Sequence, residues 1–140
     1  MAFTLNPFTG QLDYYEKADT SNLEVTQNHQ ILAGISAVAG QQVTVRLPMA
    51  GTITSAIIAW DVSGSAVVDI WLDTYANYPP TVADTITASA KPTLTSEIKA
   101  TDSTLTGWTK TFNAGDWMIF NVDSASTLDK VFVVLTYERT

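Results

Sequence analysis

From Lys130 to Tyr137 the apolar side chains fall on every second residue: Val131, Val133, Leu135 and Tyr137. A period of two marks a strand with one face on a core. Val43-Thr44-Val45-Arg46-Leu47 repeats the pattern, with Val43, Val45 and Leu47 expected inside and Thr44 and Arg46 outside. Ile31 to Val38 is a run of small and apolar residues, and Pro48 to Gly51 is a turn. Thr52 to Trp60 and Ala66 to Asp73 read as two strands of a hairpin, joined through Asp61-Val62-Ser63-Gly64-Ser65. Thr104 to Phe112 and Trp117 to Val122 are predicted strands around a tight turn at Asn113-Ala114-Gly115-Asp116, and Asp123 to Asp129 is a polar loop. Roughly seven or eight short strands at spacings near 8–12 residues predict a sandwich or barrel.

Tyr75 to Pro92 is a long connection, stiffened by Tyr78-Pro79-Pro80 because each proline fixes φ and removes a donor. A crossing of that length fits a jelly-roll or Greek-key path better than a meander. Thr93 to Ala100 is read as a short helix or 3₁₀ turn, capped by Thr95 or Ser96, with Leu94 and Ile98 on one face. The expected fold is therefore all-β: an antiparallel β-sandwich over residues 29–140, preceded by an extended N-terminal arm over residues 1–28.

Composition supports this. A chain of 140 residues is one domain by size. Hydrophobic residues reach 46%, which argues against disorder, while charged residues reach only 15%, below the roughly 25% typical of soluble domains. Hydroxyls take their place, with 21 Thr and 10 Ser, and β-branched Thr suits a pleated, half-exposed surface. The net charge is −7 and the only guanidinium groups are Arg46 and Arg139. Without clustered cations, neither nucleic acid nor an anionic membrane is expected as a partner. The N-terminus lacks a basic segment followed by a long apolar run, so no signal peptide is expected. The apolar stretches fall short of the ~20 residues that span a bilayer. There is no Cys, hence no disulfide and no thiolate metal site.

No set of residues points to catalysis. The lone histidine, His29, lies at the junction of arm and domain, and acyl transfer would need it beside a nucleophile. No nucleophile elbow, zinc-protease motif or phosphate loop occurs. Asp69, Trp71 and Asp73 share one strand face, which could line a sugar groove between two carboxylates. Alternation favours a plainer reading, an outer face opposite inward-pointing Val68, Ile70 and Leu72. Asp84, Asp102, Asp123 and Asp129 stand in loops without the spacing of a calcium site, and are expected as turn formers. No catalytic residue, metal or cofactor is expected. Trp60, Trp71, Trp108 and Trp117 all fall in predicted strands, where packing is their expected use. Tyr75 and Tyr78, beside the rigid prolines, and Trp71 are the candidates for surface recognition.

The arm carries Phe3, Pro7, Phe8, Leu12, Tyr14 and Tyr15 with no sustained period. Its aromatics need a burial site on this domain or on a neighbouring molecule. Asn6-Pro7-Phe8-Thr9-Gly10-Gln11-Leu12-Asp13-Tyr14 resembles the NPFTG-x-LDY opening of tailed-bacteriophage virion proteins. Residues 51–138 are similar to a domain that recurs in phage structural proteins. The shared landmarks are SGSAVVDIW, Asp73, Tyr75 to Pro80, Thr81-Val82-Ala83-Asp84, Lys91-Pro92, Leu105-Thr106-Gly107-Trp108, Ala114-Gly115-Asp116 and Phe120-Asn121-Val122-Asp123-Ser124. The resemblance implies a non-enzymatic β-sandwich on the particle surface, often trimeric, with no catalytic residues. An arm plus one sandwich, without a shaft, fits a small capsid decoration (cement) protein whose partner is the major capsid protein. A fibre base, baseplate or adaptor bound to a tail protein is the alternative, and a carbohydrate- or receptor-binding module is another.

Overall fold

The computed structural model describes residues 2–5, 12–15 and 28–140. Nine strands are named in chain order: β1 (Ala2–Leu5), β2 (Leu12–Tyr15), β3 (Asn28–Ser36), β4 (Gln42–Arg46), β5 (Gly51–Asp73), β6 (Thr93–Asp102), β7 (Thr111–Phe112), β8 (Trp117–Ser126) and β9 (Lys130–Arg139). All strand pairs are antiparallel. The β1–β2 pair forms its own two-stranded sheet, and the other seven strands form one curled sheet in the order β3-β9-β5-β8-β4, with β6 and β7 also on β5. The chain is all-β, an antiparallel sandwich of jelly-roll character made by folding this sheet on itself.

The 23-residue β5 makes the fold possible. Its first half pairs with β9 on one side and β6 on the other. Its second half pairs with β8 where β9 stood, and still with β6 opposite. One strand thus serves both layers and bends between them at the exposed Asp61-Val62-Ser63. The predicted hairpin at this place is corrected: Ser63-Gly64-Ser65 carries a turn-like composition, yet the strand continues through it. Gly64 is required for packing rather than for reversal, since a Cβ there would lie 2.5 Å from the Leu128 side chain.

The core lies between the layers. Val131, Val133, Leu135 and Tyr137 of β9 point into it, as their alternation predicts, and Ile31, Ala33 and Ile35 of β3 join them. β5 contributes Ile53, Ala56 and Ile58, then Ala66, Val68 and Ile70. The change from odd to even positions is made by a register shift between Ile53 and Ser55. Val122, Phe120 and Met118 of β8 stand beside Val68, Ile70 and Leu72 in register, with Leu47 just beyond β4. Val43 and Val45 are half-buried against the same cluster, while Thr44 and Arg46 are exposed.

Two further expectations are corrected. Thr93–Ala100 is not helical; it lies within β6. Only Leu94 is buried there, and Ser96 sits at φ 54° beside a register shift, so no alternation is visible in the sequence. Only Thr111–Phe112 of the predicted 104–112 strand pairs in the sheet; Trp108 belongs to the turn before it, buried, with its indole N–H donating to the Ala90 carbonyl at 2.8 Å. The polar loop shortens as well, because β8 runs on to Ser126.

Candidate functional site

The outer face of β5's second half, with β8 and β4, is built in cross-strand rows. Asp69, Asn121 and Gln42 form one row; Trp71, Ile119 and Thr44 the next; Asp73, Trp117 and Arg46 the third. Such rows are the unit of sheet stabilisation. Beside them, bonded along β5, runs the connection from Thr74 to Pro92, which contains two 3₁₀ turns, Tyr75–Asn77 and Val82–Asp84. Thr81 and Asp84 close the second turn as a capping box, the Asp84 carboxylate accepting from the Thr81 N–H at 2.7 Å.

The connection is pinned by one carboxylate. Asp69 is 1% exposed. Its Oδ1 accepts from the Ile70 N–H at 2.8 Å, Thr85 Oγ1 at 2.5 Å and Thr87 Oγ1 at 2.7 Å. Its Oδ2 accepts from Trp71 Nε1 at 3.0 Å and lies 3.2 Å from Lys91 Nζ. Lys91 also pairs with Asp123 at 2.7 Å, and Asp123 accepts from Asn121, which in turn accepts from Gln42. Thr85-Ile86-Thr87 fits because it alternates: Ile86 is buried in the core while both hydroxyls turn to Asp69. Ile86 also donates its N–H to the Ile70 carbonyl, and Thr85 bridges to Trp71.

Burial pushes the Asp69 carboxyl up. The hydrogen bonds from Thr85, Thr87, Trp71 and Lys91 together outweigh it and hold the group below the ordinary carboxylate range. Lys91 is held above its ordinary value chiefly by Asp123, against desolvation and with help from Asp69. A carboxylate with five donors and almost no exposure has no lone pair left for a sugar or a proton relay. Asp73 is more exposed and holds two donors on one oxygen, its Oδ1 accepting from the Thr74 N–H at 2.7 Å and Asn77 Nδ2 at 3.2 Å.

The Asp69-Trp71-Asp73 face thus lies outward of the sheet, opposite Val68 and Ile70, as alternation predicts. The expectation of an outer face is corrected in one respect: Asp69 is covered, because the cover comes from residues later in the chain. Lys91, Thr85, Thr87 and Asp123 complete the cluster, from positions that no local pattern in the sequence joins to Asp69. The available signal was the T-x-T alternation and a lysine in a chain with only 7 basic residues.

The aromatic candidates separate. Tyr78 packs its ring 5.0 Å from Trp117 at 59° and is 49% exposed. Trp71 is half-buried on the same sheet face, with Ile119, 3% exposed, between the two tryptophans. Tyr75 stands out at 74% exposure. Pro7 and Phe8 lie outside the described residues, and for Phe3, Leu12, Tyr14 and Tyr15 the backbone alone is described: Phe3 stands opposite Tyr14, and Leu12 opposite Leu5. His29 stacks on Tyr137 with ring centres 5.5 Å apart. Of the loop aspartates, Asp102 accepts from the Thr104 and Leu105 N–H groups, forming a turn, and Asp129 accepts from Trp60 Nε1 at 2.8 Å.

No family model matches the chain, and no curated protein matches it. Among solved structures it is similar to RmlC from Streptococcus suis in complex with dTDP-D-xylose, at 10% identity and a TM-score of 0.26. That match covers 97% of this chain, which spans 60% of the other's length. A likeness at this level carries no argument about this protein.

Proposed function

We propose that the chain is a non-enzymatic structural protein of a bacteriophage particle, a capsid decoration (cement) protein on the particle surface. The two resembling segments quoted above support the phage assignment. The observation that carries the mechanism is that β1 and β2 pair with each other, and no ladder joins them to the seven-stranded sheet among the described residues. The arm is then available to a neighbour. The sandwich supplies a rigid body, and the arm's Phe3, Phe8, Tyr14 and Tyr15 bury against the major capsid protein or an adjacent copy. Each buried aromatic contributes on the order of 1.5–3 kcal/mol before ordering costs. Repetition over a symmetric shell multiplies such contacts. The resemblance favours trimers on the shell.

A stained gel of purified particles, quantified against the major shell protein, tests the proposal. Comparable copy number is expected. A copy number of a few per particle would move the protein to a fibre base, baseplate or adaptor position on a tail protein. Removing residues 1–27 is expected to abolish particle binding; unchanged binding would end the arm mechanism.

A second reading has one observation in its favour: Tyr78 on Trp117, Trp71 on the same face and the protruding Tyr75 form an aromatic surface at one end of the sandwich. A glycan-array screen with a Tyr75→Ala control tests it. Binding that the variant loses supports a carbohydrate- or receptor-binding module, and an empty screen counts against one.

A further inference from the structure

The sandwich leaves a cavity of about 140 Å³ at its mouth, where β6 meets the end of the 74–92 connection. Small side chains leave the space: Ala56 of β5, Ala100 of β6 and Ala90 of the connection, with Trp108 as an aromatic wall. Ala56 stands opposite Asp102 in the β5–β6 ladder, and Ile58 opposite Ala100. Directly opposed residues share a sheet face. Ala56 and Ile58 belong to the core, so Asp102 and Ala100 lie on the inward face of β6. An apolar void of roughly 150 Å³ takes one benzene ring, so this one has room for a group of that size.

Hydrogen bonds hold the walls in place. Trp108 donates its indole N–H to the Ala90 carbonyl at 2.8 Å, and Val68 donates its N–H to the Pro92 carbonyl at 3.0 Å. Asp102 Oδ1 accepts from the Thr104 and Leu105 N–H groups at 2.8 and 3.1 Å. Walls fixed in this way relax only partly toward a void. The space is preformed, as in most small-molecule sites.

The polarity of the cavity has one sign. Lys91 lines it, but its ammonium is committed to Asp69 and Asp123. Asp102 lines it too, and among the described residues its Oδ2 has no hydrogen-bond donor and no cation within salt-bridge distance. We infer that the cavity is a binding site for a small organic ammonium, a benzene-sized apolar group carrying one –NH₃⁺. The apolar body fills the space between the three alanines and Trp108, and the ammonium donates to Asp102 Oδ2. A charge-assisted hydrogen bond is stronger than a neutral one, and an aromatic wall attracts a cation. The net charge of −7 draws cations toward the protein and repels anions. The site shares no residue with the Tyr75 and Tyr78 surface, goes beyond the particle assignment and does not depend on it.

Benzylamine is the probe, with toluene as its uncharged counterpart and benzoate as its anionic one. Each is titrated to millimolar concentration into the full-length protein, followed by amide and indole NMR. Benzylamine is expected to shift the Trp108 indole N–H and the Ala100 and Asp102 amides. It is expected to bind about tenfold more tightly than toluene, the gain of one charge-assisted hydrogen bond, and benzoate is expected not to bind. Asp102→Asn keeps the Oδ1 acceptor of the turn and is expected to erase the preference for benzylamine over toluene. Ala100→Leu, and Ala90→Leu as a second filling variant, are expected to keep the native spectrum and to lose binding of both probes. No shift with benzylamine would overturn the inference. So would equal affinity for benzylamine and toluene, or a preference that survives Asp102→Asn. Shifts that persist in filling variants with native spectra would mark adsorption to the acidic surface, and overturn it too.

Discussion

The two outer faces of the sandwich share one strand and end differently. The first half of β5 presents Ile57 outward, beside Val134 and Leu32, with nothing from the described chain laid over them. The second half presents Asp69, Trp71 and Asp73; the 74–92 connection pairs along β5 beside them, and its Thr85, Thr87 and Lys91 close on Asp69. The covered face holds a buried charge, and it does so with hydrogen bonds that no single stretch of sequence supplies. The open face holds apolar side chains and a plain, uncharged edge. One face is completed within the described chain, and the other keeps apolar side chains that the described residues leave uncovered.

The largest effect is expected on the covered face. Asp69→Ala leaves Thr85, Thr87 and Trp71 donors without their acceptor and Lys91 with one partner. Urea denaturation should show a loss of about 3–5 kcal/mol. A loss below 1 kcal/mol would mean that the connection holds without its pin. The shared bend comes next. Gly64→Ala forces a methyl into Leu128 and should cost about 1–3 kcal/mol by the same measurement.

The pH dependence has a fixed sign. Because Asp69 is held below its unfolded value of about 3.9, its contribution is complete above that value. It is lost as pH falls from there through the lower folded value. Lys91, held above its unfolded value of about 10.4, contributes fully below that pH. Its share is lost as pH rises through the higher folded value. Denaturation midpoints measured from pH 2 to 7 should therefore fall on the acid side, and Asp69→Asn should flatten part of that fall. An unchanged acid limb in Asp69→Asn would detach the network from acid stability.

The smallest effect is expected on the open face. Ile57→Thr should change the stability of the isolated chain by no more than ~0.5 kcal/mol, as exposed substitutions do. A loss above 2 kcal/mol would mean that the face is already covered from within.

What could be read from the sequence follows the same division. β9 was legible residue by residue, because every second side chain enters one core. β4 and the turn at Asn113 to Asp116 were legible for the same local reasons, with Gly115 at φ 89°. β5 was misread as a hairpin because Gly64 and its serines look like a turn, whereas Leu128, 64 residues further on, dictates the glycine. β6 was invisible because one core contact and a bulge at Ser96 leave no period. The Asp69 cluster joins β5 to residues 16, 18 and 22 positions later and to Asp123, and pairings at that range leave no local pattern. The exposed aromatics Tyr75 and Tyr78 were legible, since the prolines beside them are a local signal.

Amide hydrogen exchange of the full chain tests the division of the two faces most directly. Protection over 69–73 and 85–91 should be high, while the β3 amides that do not bond to β9 should exchange fast. Fast exchange over 69–73 and 85–91, or slow exchange at every β3 amide, would contradict it.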